Sequence, residues 1–205
     1  EKKIQSIDNI GDVVQSILVY DDMLFVIING SSEIKRYTIS ESGLVLPGIT
    51  VSTQNSAPRE MVVFNDKLYF TNWITKDIKV LNLYTYAIEN QIVLDGLPED
   101  IISDESFLYV CISNLEIYDQ GNGSSVVKIN PETNQVVETY EVGKGPQHMV
   151  IENNNLWASR TYYSEDWDQT YFGTTHINLL TNKIIKKEYT EMLLPKKLKS
   201  SKKKV

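Results

Sequence analysis

The sequence lacks most of the features that assign a function directly. Cys111 is its only cysteine, which excludes an internal disulfide framework and a zinc site built from cysteines. Its two histidines lie in separate segments and are too few for a histidine-built transition-metal centre. No apolar run approaches the roughly 18 residues of a membrane-spanning helix, and there is no nucleophile motif, glycine-rich phosphate loop or zinc signature. We therefore predict no cofactor, no metal site and no transmembrane segment.

Composition and charge indicate a globular chain with an acidic body. The 205 residues are 41% hydrophobic and 10% aromatic, which is enough for a sizeable core. Residues 183–205 hold nine lysines and two glutamates, whereas the preceding 182 residues hold 11 basic and 25 acidic side chains. Because an acidic body repels phosphate backbones, we expect no nucleic-acid partner. We predict that the basic tail, residues 191–205, is disordered, with an electrostatic anchor as the alternative.

A motif of two short apolar elements occurs four times along the chain. Six positions separate the last apolar residue of the first element from the leucine that opens the second: Leu18 and Leu24, Val62 and Leu68, Ile102 and Leu108, Val150 and Leu156. Polar turn-forming residues, such as Asn65-Asp66, lie between the two elements. Each copy therefore predicts a strand, a tight turn and a second strand.

A second hairpin follows in the last three copies. An asparagine ends the third strand and a threonine comes three positions later: Asn82 and Thr85, Asn130 and Thr133, Asn178 and Thr181. An asparagine side chain can accept a hydrogen bond from a backbone amide two residues on, which fixes such a turn. The first copy has Thr38 and Glu41 at these positions and is the degenerate one.

Four short strands per copy, with no helical period, predict an all-β fold. We expect a β-propeller of four four-stranded antiparallel blades, because each blade buries its faces against its neighbours and so reuses one pattern. The predicted blades are residues 11–50, 51–95, 96–142 and 143–190. A β-sandwich is the competing all-β architecture, but it gives no reason for a fixed internal repeat.

The repeat resembles a known family. Tyr69-Phe70-Thr71-Asn72 differs at one position from the tetrapeptide that names the YVTN repeat, and residues 129–137 followed by 142–146 are similar to that family's hairpin and blade connection. The resemblance covers roughly residues 11–190. YncE-like propellers of this kind are typically seven-bladed, exported to the periplasm or cell surface, and mostly binding modules. The resemblance thus implies an extracytoplasmic, surface-layer-type propeller.

The number of strands predicts an incomplete ring. Residues 135–141 are the predicted outer strand of the third blade and come just before the fourth blade. Residues 1–9 come just before the first blade in the same way, so they look like the outer strand of a preceding blade. The fourth blade already has an outer strand near residues 183–189, which leaves the N-terminal strand redundant in a closed ring. We expect four blades and one extra N-terminal strand, an arc of a larger ring of about seven blades. A closed four-bladed ring is the alternative.

Polar pairs mark the predicted mouth of the propeller channel. The fourth-to-first and second-to-third strand connections share one face of a propeller, here called the top face. At that face each inner strand opens on two polar residues: Gln15/Ser16, Arg59/Glu60, Glu99/Asp100 and Gln147/His148. Convergent polar groups in a concavity suit a polar ligand or a cation. The alternative is that these side chains bond neighbouring backbone amides.

Two long connections lie on the same top face. In the second copy, 14 positions separate the leucine that opens the second strand from the asparagine that ends the third strand. In the third and fourth copies the same separation is 22 positions. The fourth-copy loop, residues 160–173, is rich in aromatics, which either stack on a ligand or cover the blade. The predicted ligand-binding residues are Arg59, Glu60, Glu99, Asp100, Gln147, His148, Trp73, Tyr118, Tyr162, Tyr163 and Trp167.

The sequence favours a non-catalytic binding module that takes a small molecule, a glycan or a partner protein through its top face. Two alternatives stay open. One is a propeller enzyme of lyase or dehydrogenase type, with His148 and either Glu99 or Glu60 as acid and base at the channel mouth. The other is a structural surface repeat protein that self-associates through exposed blade edges.

Overall fold

Antiparallel strands make up all of the regular secondary structure in the part of the chain that the structure describes. The computed structural model describes residues 5–117, 121–164 and 167–193, with the side chains of residues 189–193 left aside. Sixteen strands form four sheets of four, and each sheet takes its strands consecutively from the chain. No helix among the described residues is long and apolar enough to cross a membrane.

The four sheets, here called the first to fourth blades, have regular boundaries. The first blade comprises β1 (Val14–Tyr20), β2 (Met23–Ile28), β3 (Glu33–Ser40) and β4 (Gly43–Ser52). The second comprises β5 (Pro58–Phe64), β6 (Lys67–Asn72), β7 (Asp77–Asn82) and β8 (Ile88–Val93). The third comprises β9 (Leu97–Ser103), β10 (Leu108–Asn114), β11 (Asn122–Asn130) and β12 (Gln135–Glu141). The fourth comprises β13 (Pro146–Glu152), β14 (Asn155–Tyr163), β15 (Gln169–Asn178) and β16 (Lys183–Leu193).

The blades are arranged as an open propeller arc. The first strand of each blade is the innermost, since β1 contacts β5, β5 contacts β9 and β9 contacts β13. Over the described residues the sheets do not close into a ring. The predicted all-β fold with four four-stranded blades is therefore confirmed, and the open arrangement favours the arc over the closed four-bladed ring.

Side chains and backbone together explain the tight turns. Asn65 and Asp66 have φ angles of 48° and 58°, and Asn153 and Asn154 have φ angles of 49° and 60°. Asparagine and aspartate tolerate this left-handed region better than most residues, so these dipeptides close two-residue hairpins. In the third blade Asp104 instead accepts hydrogen bonds from the amides of Ser106 and Phe107, both at 2.7 Å.

The asparagine turns predicted between the third and fourth strands are present. Asn82 Oδ1 accepts from the amides of Tyr84 at 2.9 Å and Thr85 at 3.0 Å. Asn130 accepts from the amide two residues on at 2.8 Å, and Asn178 from the amide three residues on at 2.9 Å. The asparagine thus recurs in these three blades because its side chain accepts a hydrogen bond from a backbone amide of the turn.

Apolar side chains fill each of the three spaces between neighbouring blades. Phe25 and Ile27 of the first blade pack on Leu68 and Phe70 of the second. Tyr69 and Val80, on the opposite side of the second blade, pack on the third, and the third packs on the fourth in the same way. Because residues alternate across a strand, the central strands of the second and third blades each contribute side chains to two cores.

The N-terminal segment differs from the prediction. Residues 5–9, the described part of the predicted extra strand, are not in a strand. The segment crosses the side of the first blade that faces away from the second, where Ile7 and Ile10 pack against Val26, Ile28 and Tyr37. The predicted basic tail also begins later than expected, since β16 continues to Leu193; residues 194–205 lie outside the described part.

Candidate functional site

Each inner strand bulges where it reaches the top face. The pairing register shifts in all four blades, between Val14 and Ser16, Pro58 and Met61, Pro98 and Ile101, and Pro146 and His148. These stretches contain the predicted polar pairs. A bulge re-aims side chains that a regular strand would send alternately to its two faces. The bulges thus set which way each rim residue points, and the sequence pattern did not reveal them.

Arg59 links three blades at the rim. Its guanidinium donates to Glu99 Oε1 of the third blade, from Nη2 at 2.5 Å and from Nε at 3.2 Å. Nη1 donates to Gln15 Oε1 of the first blade at 3.0 Å. The guanidinium carbon also lies 4.3 Å from the centre of the Trp73 ring, a cation–π contact. Arg59 therefore holds the rim together and fixes one wall of the top face.

Other rim side chains also bridge neighbouring blades. Ser16 Oγ donates to Glu60 Oε2 at 2.6 Å, which joins the first and second blades. Asp100 Oδ2 accepts from the backbone amide of Met149 at 2.6 Å, which joins the third and fourth. His148 is exposed, and its carbonyl accepts from Ser159 Oγ at 3.3 Å. Three predicted site residues, Glu60, Asp100 and His148, thus belong to the inner rim.

Burial raises the pKa of Asp100 from its ordinary value of 3.8 to about 6. The amide of Met149 and the nearby His148 oppose this rise, whereas the charge of Glu60 adds to it. Desolvation dominates because the carboxylate loses more hydration than its favourable neighbours restore.

We expect Asp100→Asn to stabilise the protein at about pH 7.5 and to change its stability little at about pH 4. The folded-state pKa lies above the unfolded one, so the protonated carboxyl favours the fold at low pH, and this contribution is lost as the pH rises through about 6. The shift corresponds to at most about 3 kcal/mol, and we expect a gain of about 1–2 kcal/mol. Thermal unfolding at both pH values checks this; an equal gain at the two would contradict it.

A cleft of about 350 Å³ opens on the top face between the second, third and fourth blades. Five predicted site residues line it: Trp73, Gln147, Tyr162, Tyr163 and Trp167. Leu97 forms a buried apolar part of the lining. The sequence prediction missed the polar members of the lining, which are Asn114, Glu116, Asn122, Thr161 and Ser164. Their positions in the long connections were the only signal available.

The aromatic wall of the cleft is a β-ribbon and not the predicted loop. Within residues 160–173, β14 extends to Tyr163 and β15 begins at Gln169, with Tyr162 opposite Tyr171. These two rings stack with centroids 4.8 Å apart and an interplanar angle of 12°. Tyr163 and Trp167 approach to 5.1 Å at the end of the ribbon, and both rings are largely exposed. Cross-strand aromatic pairs stabilise the extension that the prediction treated as irregular.

A close backbone approach anchors the ribbon at its base. Gly145 has a φ of 67°, and the amide of Thr161 donates to its carbonyl at 2.8 Å. A Cβ at this position would lie 2.1 Å from the carbonyl oxygen of Thr161. Only glycine therefore allows the connection before β13 to pass this close beneath the wall.

The opposite wall belongs to the second and third blades. Trp73 is half-buried, and within the described ranges its indole N–H is buried without a hydrogen-bond partner. Glu116 is neutralised by Lys76, whose Nζ lies 2.6 Å from Oε1. Arg59, which contacts Trp73, and Glu116 thus already have partners of opposite charge.

A second cavity of about 510 Å³ adjoins the cleft across the ribbon. Leu115, Gly121 and Tyr171 line it, and it shares Tyr162 and Tyr163 with the cleft. Lys144 reaches over the Tyr162 ring at 5.6 Å from its centre. Tyr118, the remaining predicted site residue, lies outside the described residues.

The thiol of Cys111 lies in the core between the third and fourth blades. Burial is the main cause that raises its pKa well above the ordinary value, which keeps the thiol protonated and unreactive. Across the described ranges, no three His, Cys, Asp or Glu side chains lie together as ligands for a metal ion.

Comparison with solved structures shows the fold. Hydrazine synthase from Kuenenia stuttgartiensis is 16% identical with a TM-score of 0.66, over 82% of this chain and 46% of that chain. A protein of unknown function from Bacteroides caccae is 12% identical with a TM-score of 0.65, over 86% and 67%. A protein from Lactobacillus plantarum is 14% identical with a TM-score of 0.61, over 89% and 54%.

These comparisons support the propeller and nothing finer. The fold neighbours include propeller proteins of varied function, so the predicted propeller is confirmed. This chain spans about half the length of the hydrazine synthase chain and of the Lactobacillus plantarum protein. Neither a known protein family nor a curated protein matches the sequence, so the YVTN/YncE-like resemblance stays a prediction. At identities this low, a shared fold carries no function with it.

Proposed function

We propose that the protein is a non-catalytic binding module that takes a short, uncharged oligosaccharide in the top-face cleft. The observation that carries this proposal is the convergence of aromatic and amide side chains from three blades on one concavity. Small-molecule sites combine apolar or aromatic walls with a few polar groups that fix orientation. The cleft has both.

The aromatic rings suit the apolar faces of sugar rings. Trp73 forms one wall, and Tyr163 and Trp167 form the other, so a ligand between them contacts aromatic surface on both sides. Tryptophan and tyrosine offer large contact areas and lose little conformational entropy when they bind. The Arg59 guanidinium behind Trp73 holds that ring in place before a ligand arrives.

The polar groups suit hydroxyls better than charges. The amides of Gln147, Asn114 and Asn122 both donate and accept hydrogen bonds, as hydroxyl groups require. Arg59 and Glu116 are paired with Glu99 and Lys76, so neither offers a free charge to an anionic or cationic ligand. A neutral ligand rich in hydroxyls fits this lining best.

The rim geometry favours binding over acid–base chemistry at the channel mouth. The enzyme hypothesis pairs His148 with Glu99 or Glu60. Glu99 is held by Arg59, and Glu60 accepts the hydroxyl of Ser16. A general base needs a free acceptor directed at the proton that it removes. Both carboxylates instead serve to join blades.

We expect Tyr163→Ala and Trp167→Ala each to weaken binding of a neutral oligosaccharide about tenfold, because each removes one stacking surface worth about 1.4 kcal/mol. Isothermal titration calorimetry against a panel of neutral oligosaccharides measures this. Tyr84→Ala is the matched control, since Tyr84 is 77% exposed in a turn of the second blade and does not line the cleft. Equal affinities for all three variants and the native protein would contradict the proposal.

A further inference from the structure

The second top-face cavity, of about 510 Å³, differs from the cleft in its charge. Lys144 is the one charged side chain of its lining among the described residues, and it is exposed. Within those residues its ammonium group makes no ion pair, and it contacts the ring of Tyr162, 5.6 Å from the ring centre. In the cleft, by contrast, Glu116 is already neutralised by Lys76. The second cavity therefore offers a positive charge to a ligand.

The backbone beside Lys144 is fixed on two sides. The amide of Gly145 donates to the carbonyl of Gly123 in the third blade at 2.8 Å. The carbonyl of Gly145 accepts from the amide of Thr161 in the fourth blade, also at 2.8 Å. The connection that carries the lysine is thus tied to both blades whose side chains line the cavity. A charged group that is positioned in advance loses less conformational entropy when a ligand binds.

The rest of the lining is largely apolar or aromatic. Leu115, in the long connection of the third blade, and Tyr163, in the ribbon of the fourth, are each 46% exposed. Tyr171 of the ribbon adds a second ring, and the Asn122 side chain adds an amide that both donates and accepts hydrogen bonds. Apolar walls with a few polar groups, in a cavity of this volume, are typical of a small-molecule site.

We propose that the second cavity binds a small monocarboxylate whose body is an aromatic or a sugar ring. The carboxylate pairs with the ammonium group of Lys144, and the ring lies against Leu115 and the tyrosines. One lysine balances one negative charge, and residues 1–182 hold 25 acidic against 11 basic side chains, which disfavours a phosphate or another multiply charged anion. This site is additional to the cleft and does not depend on whether the cleft binds an oligosaccharide.

Titration with two acids and their uncharged counterparts tests the proposal. The pairs are benzoate with benzamide and glucuronate with glucose, so they also distinguish an aromatic ring from a sugar ring. We expect isothermal titration calorimetry to show saturable binding of at least one acid, at least about tenfold tighter than its uncharged counterpart, because the counterpart cannot pair with the lysine. The affinity for that acid should fall as sodium chloride is added. No saturable binding of either acid, or equal affinities for the acid that binds and its counterpart, would overturn the proposal.

Substitution of the lysine locates the binding. Lys144→Met should weaken binding of the acid at least about tenfold and keep the native circular dichroism, because the side chain is exposed. Lys144→Arg should retain most of the affinity, because it keeps the positive charge. Lys183→Met is the matched control, since Lys183 is an exposed lysine that pairs with Asn178 at the end of the fourth blade opposite the ribbon tip; it should leave the affinity unchanged. Native affinity in Lys144→Met, or an equal loss in Lys183→Met, would contradict the proposal.

Discussion

Replacing Arg59 by methionine is expected to cost about 3 kcal/mol of unfolding free energy, because it leaves the carboxylate of Glu99 in a nearly dry site without its partner. The side chains of Arg59 and Glu99 are only 20% and 11% exposed. Glu99 would lose two hydrogen bonds, of 2.5 and 3.2 Å. Removing one member of a buried pair costs far more than the pair itself contributes.

A double-mutant cycle separates the loss of the pair from the loss of packing. We expect Arg59→Met with Glu99→Gln to be less destabilised than Arg59→Met alone, because the second change removes the unpaired charge. Urea unfolding of the four proteins gives the coupling energy. If the cost of the double variant equals the sum of the two single costs, the account of Arg59 as the partner that neutralises Glu99 is wrong.

Replacing Phe70 by alanine is expected to cost about 3–5 kcal/mol, since it leaves a cavity where the first two blades meet. Phe70 has no exposed surface and packs with Phe25, Ile27 and Ile34 of the first blade. Because each blade is stabilised mainly by its neighbours, the first blade should lose stability more than the third and fourth.

Urea unfolding measures the total cost, and hydrogen exchange shows where it falls. We expect faster exchange in β1–β4 than in β9–β16. Leu180→Ala is the matched control: Leu180 is 74% exposed in a turn of the fourth blade, and its loss should change stability by no more than about 0.5 kcal/mol. A cost below about 1 kcal/mol for Phe70→Ala would show that the space between the first two blades is not a packed core.

The repeated features were predictable because each repeats a physical requirement. The fixed spacing from Val62 to Leu68 reflects a two-residue turn, whose left-handed backbone only a few residue types adopt easily. The asparagine of each second hairpin is repeated because its side chain accepts a hydrogen bond from a backbone amide of the turn. Four copies of one pattern then predict one supersecondary unit that buries its faces on its neighbours. The polar pairs at the rim were found for the same reason.

Features that occur once, or that depend on neighbours in space, were not predictable. The ribbon of Tyr162 and Tyr171 depends on a cross-strand stack, which the spacing of aromatics does not specify. The bulges that turn Arg59 toward Glu99 leave no signature in the sequence. The course of residues 5–9 depends on the packing of Ile7 against the first blade, a contact in space that the linear pattern does not specify.

The sequence predicted only some of the residues that line the cleft, for a related reason. Aromatic residues in long connections are recognisable from composition, and Trp73, Tyr162, Tyr163 and Trp167 do meet in one concavity. The channel-rim residues were grouped with them, because a linear pattern does not distinguish side chains that face a cavity from side chains that face the next blade. Glu60 and Asp100 bind Ser16 and Met149 of neighbouring blades.

The central claim is that a neutral oligosaccharide binds between the aromatic walls of the top-face cleft, and tryptophan fluorescence tests it most directly. The chain has three tryptophans, of which Trp73 and Trp167 line the cleft and Trp157 lies outside it on β14 of the fourth blade. Trp157→Phe leaves only the cleft tryptophans and keeps an aromatic ring, as Phe25 does in the first blade. We expect a saturable change in emission with at least one member of a neutral oligosaccharide panel, with the same midpoint in the native protein and in Trp157→Phe. A signal that disappears with Trp157, or no saturable change with any member of the panel, would contradict the claim.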